Sequence, residues 1–385
     1  MKTLLSISLF FLLLLPARAQ QLRQRLESLT TDPMFETSQL GMMVWDLTDD
    51  TLLFEHHARH AMRPASTMKL LTSIAALDYL GGEHRMGTSL YCQGIIEHNT
   101  LRGDLILSGE MDPLFDTVAL GVFIDSLQRM GIDTLRGNIV ADRSFKDTLM
   151  WGEGWCWDDE NPTLSPLLVN GKDDMTERFV AELVKAGICL DSVGLVLGQP
   201  TDSAWLVCRC EHRVEEILPR MLKESDNLYA ECLFYQLAES DGMAPASAAQ
   251  ARKLEIQLLN DLGLKGNNYR IADGSGLSLY NYLSAEIVTR LLRYAWQTDS
   301  IREILLPALP VAGEDGTLAN RMLKTAAAGN VHAKTGTLSG VSTLSGYLTT
   351  AEGHVLCFSI MNQGVMKLSE GRAFQDRVCK ALCEP

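Results

Sequence analysis

Pro64-Ala65-Ser66-Thr67-Met68-Lys69-Leu70-Leu71 is the run from which the rest of the chain is read. A helix opening here sets residues three apart on one face, about a turn from each other, so the Ser66 hydroxyl and the Lys69 amine can meet. A serine hydroxyl is a poor nucleophile at neutral pH. A lysine takes its proton only where burial or a neighbouring cation has lowered the amine's pKa. Leu70, Leu71, Ile74, Ala75 and Leu77 recur at helical spacing before Gly81-Gly82, which predicts a buried helix able to dry the surroundings of Lys69.

Roughly one S-x-x-K is expected by chance in a chain this long, so the pair needs support from elsewhere. Ser225-Asp226-Asn227 and Lys334-Thr335-Gly336 provide it, in the order of the S-x-x-K, S-D-N and K-T-G set of serine penicillin-recognising enzymes. With them stand Asp273-Gly274-Ser275-Gly276-Leu277-Ser278, Val311-Ala312-Gly313-Glu314-Asp315-Gly316-Thr317-Leu318 and Gly154-Trp155-Cys156-Trp157-Asp158-Asp159. On these stretches the sequence resembles the low-molecular-mass penicillin-binding proteins of the D-alanyl-D-alanine carboxypeptidase/endopeptidase type, over nearly the whole mature chain.

Lys2, an apolar run from about Leu4 to Leu15, Pro16 and Ala17-Arg18-Ala19 read as a secretory signal cleaved after Ala19. Export to the periplasm is therefore expected, with any association with wall or membrane peripheral. Without Lys2 and Arg18 the mature chain has 32 basic residues against 48 acidic ones, a net charge of −16. That balance argues against nucleic acid and against an anionic membrane surface as partners. The nine cysteines, at 92, 156, 189, 208, 210, 232, 357, 379 and 383, lack paired C-x-x-C spacing and mostly lie in apolar segments, as small buried hydrophobes do. Export would permit disulfides, but neither Cys208/Cys210 nor Cys379/Cys383 has a spacing that proves one.

Along the chain, the patterns predict a helix from Gln20 to about Ser28, strands Leu40–Asp46 and Thr51–His56, and the helix after Ser66. Short strands and two helices, Thr117–Met130 and Met175–Ala186, follow up to about Arg213. Within them Leu101–Leu107 and Leu135–Ala141 look alike, each read as a turn feeding a strand. Helices are then expected at Val214–Lys223, Asn227–Ala238, Ala246–Leu262 and Ser284–Trp296. Strands Val331–Thr337, Val341–Thr349 and His354–Met361 and a helix Gly371–Leu382 close the chain. The fold class is α+β: a serine β-lactamase/transpeptidase-like antiparallel sheet flanked by helices, with a helical subdomain and an inserted smaller α/β domain. The expected division is a leader at 1–19, a discontinuous catalytic domain at 20–82 and 214–385, and an insert at 83–213. Lys334 is expected on an edge strand facing the cleft.

The resemblance implies peptidoglycan stem peptides ending in D-alanyl-D-alanine as substrate, and β-lactam antibiotics as inhibitors. Ser66 would attack the penultimate carbonyl, Lys69 would take the proton, and Ser225 would relay it to the leaving amine. Asn227 would hold the peptide and Lys69. Lys334, Thr335 and Thr337 would hold the terminal carboxylate, with Gly336 leaving room for the backbone. The N–H groups of Ser66 and Thr337 would form the oxyanion hole. Repulsion from Lys334 would lower the pKa of Lys69 further. Asp142, in Ala141-Asp142-Arg143-Ser144-Phe145, is matched to an acid reading the stem's third residue, against the reading of a solvated acid at a strand end. Asp226 receives no catalytic task, although Ser, Asp and Asn all suit a helix cap.

No His-Glu-x-x-His spacing and no Gly-rich phosphate loop occurs, so neither a metal nor a cofactor is expected. Two other readings compete. A β-lactamase needs a deacylating glutamate on a loop after the nucleophile, for which Glu153 and Glu160 are the candidates within Trp151–Asn161. A catalytically silent wall-binding homologue has no need of both Ser66 and Lys69. Motifs do not separate carboxypeptidase from endopeptidase activity, and the oligomeric state is not encoded in them.

Overall fold

The computed structural model describes residues 20–240, 242 and 244–384, so the expected leader lies outside the described residues. Helix α1 (20–29) leads to the hairpin of β1 (Gln39–Asp46) and β2 (Thr51–His56), whose turn is closed by Asp46 Oδ1 accepting from the amides of Thr48 and Asp49. A short 3-10 turn, Ala65–Thr67, then runs into α2 (Met68–Tyr79), every residue of which from Met68 to Leu77 is buried.

A sheet of seven strands follows. It contains β3 (Arg85–Glu97) and β4 (Thr100–Gly109), then β5 (Thr134–Arg136) and β6 (Asn138–Asp142) after helix α3 (Thr117–Arg129). Helix α4 (Met175–Lys185) precedes β7 (Cys189–Leu190), β8 (Gly194–Leu197) and β9 (Trp205–Arg213). The order is β7-β5-β4-β3-β9, with β6 pairing β4 and β8. Leu120, Phe123, Ile124 and Leu127, one stripe of α3, pack with Phe179 and Leu183 of α4 over this sheet. The two look-alike segments prove to be parallel neighbours: Leu101 pairs Leu135, Arg102 pairs Arg136 and Leu105 pairs Ile139. The first is one continuous strand rather than a turn feeding a strand. The second breaks at Gly137, where a Cβ would fall 2.0 Å from the Gly103 carbonyl oxygen.

The middle of the chain is helical: α5 (Val214–Lys223), α6 (Asn227–Glu239), α7 (Ala248–Asp261), α8 (Ala285–Gln297) and α9 (Asp299–Ala308). Val214, Ile217, Leu218, Met221 and Leu222 turn one face of α5 into the core that α2, α6, α7 and α8 share. The sequence patterns do not predict helix α9; ten residues with Pro307 inside them give a weak helical signal.

Three antiparallel strands, β10 (His332–Leu338), β11 (Val341–Thr349) and β12 (Val355–Gln363), join β1 and β2 in the order β10-β11-β12-β1-β2, and α10 (Leu368–Cys383) ends the chain. Side chains alternate across β12. Leu356, Phe358 and Ile360 enter a core with Leu26 of α1 and Phe374 and Val378 of α10, whereas Cys357 and Met361 enter the helical core on the other face. Both faces being buried, a one-residue slip would exchange two cores, so the register of the edge strand β10 is firmly set. All nine cysteines are free thiols.

Candidate active site

Ser66 sits on the turn before α2, and this turn is held from three sides. Thr67 Oγ1 and Thr343 Oγ1 both donate to the Pro64 carbonyl, at 2.6 and 2.8 Å, which fixes the turn against β11. Gly336 of β10 lies so close that a Cβ there would stand 2.8 Å from the Pro64 oxygen and 2.9 Å from the Ser66 amide nitrogen. Ala65, immediately before the serine, has φ +47, a strained setting for a residue with a side chain.

Lys69, one turn on, is fully buried. Its Nζ lies 3.2 Å from Ser66 Oγ, 2.7 Å from Asn227 Oδ1 and 2.7 Å from the Ser275 carbonyl oxygen. The last two can only accept. A neutral amine therefore spends both its hydrogens on them and turns its lone pair to the Ser66 hydroxyl, the arrangement a general base needs. Burial lowers the pKa of Lys69 from 10.5 to about 8, against an opposing pull from Asp273, Glu231 and Asp226. The expected repulsion from Lys334 is thus not the leading cause; removal from water is.

The connection between α5 and α6 presents the second motif. Asp226 caps α6 by accepting from the amides of Leu228 and Tyr229 and pairs with Arg220 at 3.0 Å, a structural task. With the cap fixed, Ser225 adopts φ +61 and Asn227 starts the helix facing Lys69. Lys334 reaches Ser225 from the edge strand: its Nζ donates to Ser225 Oγ and to the Thr335 carbonyl, each at 2.8 Å. Burial first, and then the neighbouring Lys69, hold Lys334 well below the ordinary lysine range. A carboxylate arriving beside it acts in the opposite sense and favours its charged form. Thr335 Oγ1 donates to Thr317 Oγ1 at 2.8 Å, and Thr337 is exposed on the same strand.

The loop at 273–278 is tied into the site through Asp273 and Ser275. Asp273 accepts from the amides of Gly276 and Ser278, from Asn281 Nδ2 and from Trp155 Nε1, all at 2.7–2.8 Å. The Ser275 amide donates to Glu231 Oε1 at 2.8 Å, while the carbonyl of the same residue holds Lys69. Glu231 is buried, and desolvation together with Asp273 pushes its carboxyl up to about 8. Its one signal in the sequence is an acid four residues after Asn227 within the mostly apolar run Leu228–Ala238. Glu255 is also buried, and burial first, with the charge of Glu231 adding to it, holds its pKa well above the usual carboxylate range.

Ser66, Lys69, Ser225, Asn227 and Lys334 are thus brought together, with Thr335, Gly336 and Thr337 alongside on β10. Asp142 is not tied to them. It is buried at the end of β6, with Oδ2 accepting from Ser108 Oγ and Oδ1 from the amide and hydroxyl of Ser144, so it is not the solvated acid of the competing reading either. A cavity of about 680 Å³ adjoins Asp226 and Asn227 and is lined also by Phe115, Glu160, Arg220 and Tyr229. Among the described residues, Asp46, Asp49 and His354 are close enough to share a cation, but Asp46 already binds His354 and two turn amides there.

Comparison with known proteins agrees with this geometry. The D-Ala-D-Ala carboxypeptidase 3 (S13) family matches at residues 22–169 and 161–383. A D-alanyl-D-alanine carboxypeptidase of Actinomadura sp. (strain R39) is 28% identical, over 90% of this chain and 82% of its own. The D-alanyl-D-alanine carboxypeptidase DacB of Haemophilus influenzae is 25% identical, over 85% of this chain and 86% of its own. The crystal structure of penicillin binding protein 4 (dacB) from Haemophilus influenzae has the same fold, with TM-score 0.84 at 22% identity over 91% of this chain and 97% of that one. The chain is a member of the D-Ala-D-Ala carboxypeptidase 3 (S13) family.

Proposed function

We propose that this protein is an exported serine D-alanyl-D-alanine carboxypeptidase/endopeptidase that acts on peptidoglycan stem peptides through an acyl-enzyme on Ser66. The observation that carries the reading is the three-way setting of Lys69, whose two fixed acceptors leave its lone pair for the serine hydroxyl. Ser66 Oγ bonds to the penultimate carbonyl carbon as its proton passes to Lys69. The carbonyl oxygen gathers charge at the amides of Ser66 and Thr337, where losing one donor typically costs ~3 kcal/mol of barrier. The carbon–nitrogen bond then breaks, Ser225 relays the proton to the departing amine, and water hydrolyses the ester. Lys334, Thr335 and Thr337 hold the terminal carboxylate on the leaving side. The catalytic unit in this reading is 20–82 with 214–385, around an insert at 83–213.

A β-lactamase is the weaker reading. Glu153 is committed to ion pairs with Arg252 and Arg270, at 3.1 and 2.7 Å, which leaves it unsuited to activate a deacylating water. Release of D-alanine from a D-alanyl-D-alanine stem pentapeptide tests the proposal. The wild type should release it with turnover and Ser66→Ala should not; a folded wild type that leaves the pentapeptide intact would refute the assignment.

A further inference from the structure

A second cavity, of about 560 Å³, opens along β10. Thr335, Gly336 and Thr337 form one wall; Thr317, Arg321 and the start of α10, with Arg372, form the other. That volume lies in the range that encloses a ligand of many heavy atoms, far more than a single alanine fills. Its charge is also unbalanced. Arg321 is neutralised by Asp376, at 2.6 Å, and donates to the Arg372 carbonyl at 3.0 Å, which fixes the backbone under Arg372. The Arg372 guanidinium itself is exposed and has no ionic partner among the described residues. In a chain with a formal net charge of −14, an unmatched arginine beside the strand that holds the leaving side of the substrate stands out from its surroundings.

We propose that this cavity is the subsite for the leaving half of a cross-linked substrate, and that Arg372 pairs with a carboxylate of the second stem peptide. The inference rests on the acyl-enzyme reading above. There the carboxylate of the leaving residue meets Lys334, Thr335 and Thr337, so anything attached beyond that residue runs into the space these threonines border. In a cross-link, the amine that departs when Ser66 takes the acyl group belongs to a whole second stem carrying further carboxylates. Bonds and protons balance as for loss of D-alanine: the ester forms at Ser66, the carbon–nitrogen bond breaks, and the amine receives the relayed proton. A planar guanidinium suits carboxylate recognition. Being exposed, it should contribute a modest, salt-sensitive preference for cross-links, not the chemistry itself.

The test compares wild type, Arg372→Ala and Arg372→Glu on two substrates from one bacterial wall, monomeric stem pentapeptide and cross-linked muropeptide dimer, with penicillin acylation as the check on folding. For the dimer, kcat/KM should fall about three- to tenfold in Arg372→Ala and further in Arg372→Glu, with the deficit shrinking in high salt. Pentapeptide hydrolysis and acylation should stay within about twofold of wild type. Equal losses on both substrates, no loss on either, or a wild type that trims the pentapeptide but leaves the dimer intact would overturn the subsite while leaving the proposed function standing. A wild type inactive on both substrates would overturn the function itself.

Discussion

Gly276→Ala should slow acylation although Gly276 touches no substrate. Gly276 has φ +81, where a side chain costs roughly 1–2 kcal/mol. The added Cβ would stand 1.9 Å from the Ala65 carbonyl oxygen, 2.5 Å from its carbon and 2.9 Å from Met68 Cβ. Two of these neighbours are backbone atoms and cannot rotate away, so the loop must retreat by more than ~1 Å to reach van der Waals separation. The adjoining Ser275 carbonyl holds Lys69 at 2.7 Å, and the same retreat would carry it past ~3.5 Å, beyond hydrogen-bonding range. A bond of this kind to an ionisable group contributes about 1.5–3 kcal/mol. With about 1.4 kcal/mol per factor of ten, acylation should fall roughly 10- to 100-fold. The assay is the second-order rate constant for labelling by a fluorescent penicillin, with urea unfolding followed in parallel. Gly263→Ala is the control. Gly263 has φ +73 but nothing within 4 Å of an added Cβ, so it should lose about 1 kcal/mol of stability and label at the wild-type rate. Labelling of Gly276→Ala within about twofold of wild type, with unfolding unchanged, would refute the reasoning.

Three further outcomes follow from the same geometry. The acylation rate should rise with pH and level off above about 8, because the neutral amine is the base and burial has lowered Lys69 from 10.5 to about 8; at pH 7 only about a tenth would be neutral, and an inflection near 10.5 would contradict the buried-base account. Lys334→Ala should slow acylation about a hundredfold by removing the partner of Ser225 and the carboxylate contact, measured with the same penicillin at saturating pH. Lys146→Met should cost about 2 kcal/mol in urea unfolding with acylation unchanged, since Lys146 Nζ, buried over the Tyr235 ring, donates to the Asp147 and Leu149 carbonyls and to Asp147 Oδ1.

The parts of this fold and site that are legible in the sequence are those where one residue type carries the signal by itself. Apolar spacing marks α2, α3, α5 and α10 within a few residues, and short runs rich in apolar residues, Val341–Thr349 and Val355–Gln363, mark β11 and β12. The motif residues Ser66, Lys69, Ser225, Asn227 and Lys334 can be named because the motifs are written in side chains, and those side chains are the ones brought together. What stays hidden acts through the backbone or through burial. The Ser275 carbonyl that holds Lys69 has no signature, since every residue has a carbonyl. Gly276 looks like a permissive turn residue, whereas its lack of a Cβ admits the Ala65 carbonyl. Glu231 and Glu255 do not stand out because acids within helices are usually solvated; here both are buried, and Glu231 acts on Lys69. Asp142 is matched to recognition only by a short local stretch, and that stretch does not reveal that Ser108 and Ser144 hold its carboxylate.

The central claim is that Ser66 is the nucleophile, activated by Lys69 and framed by segments far apart in the chain. Intact-mass measurement after exposure to penicillin, followed by peptide mapping of the adduct, tests it most directly. One whole penicillin per chain is predicted, on the peptide that contains Ser66, and none in a folded Ser66→Ala variant. An adduct on any other residue, or undiminished labelling of Ser66→Ala, would contradict the account.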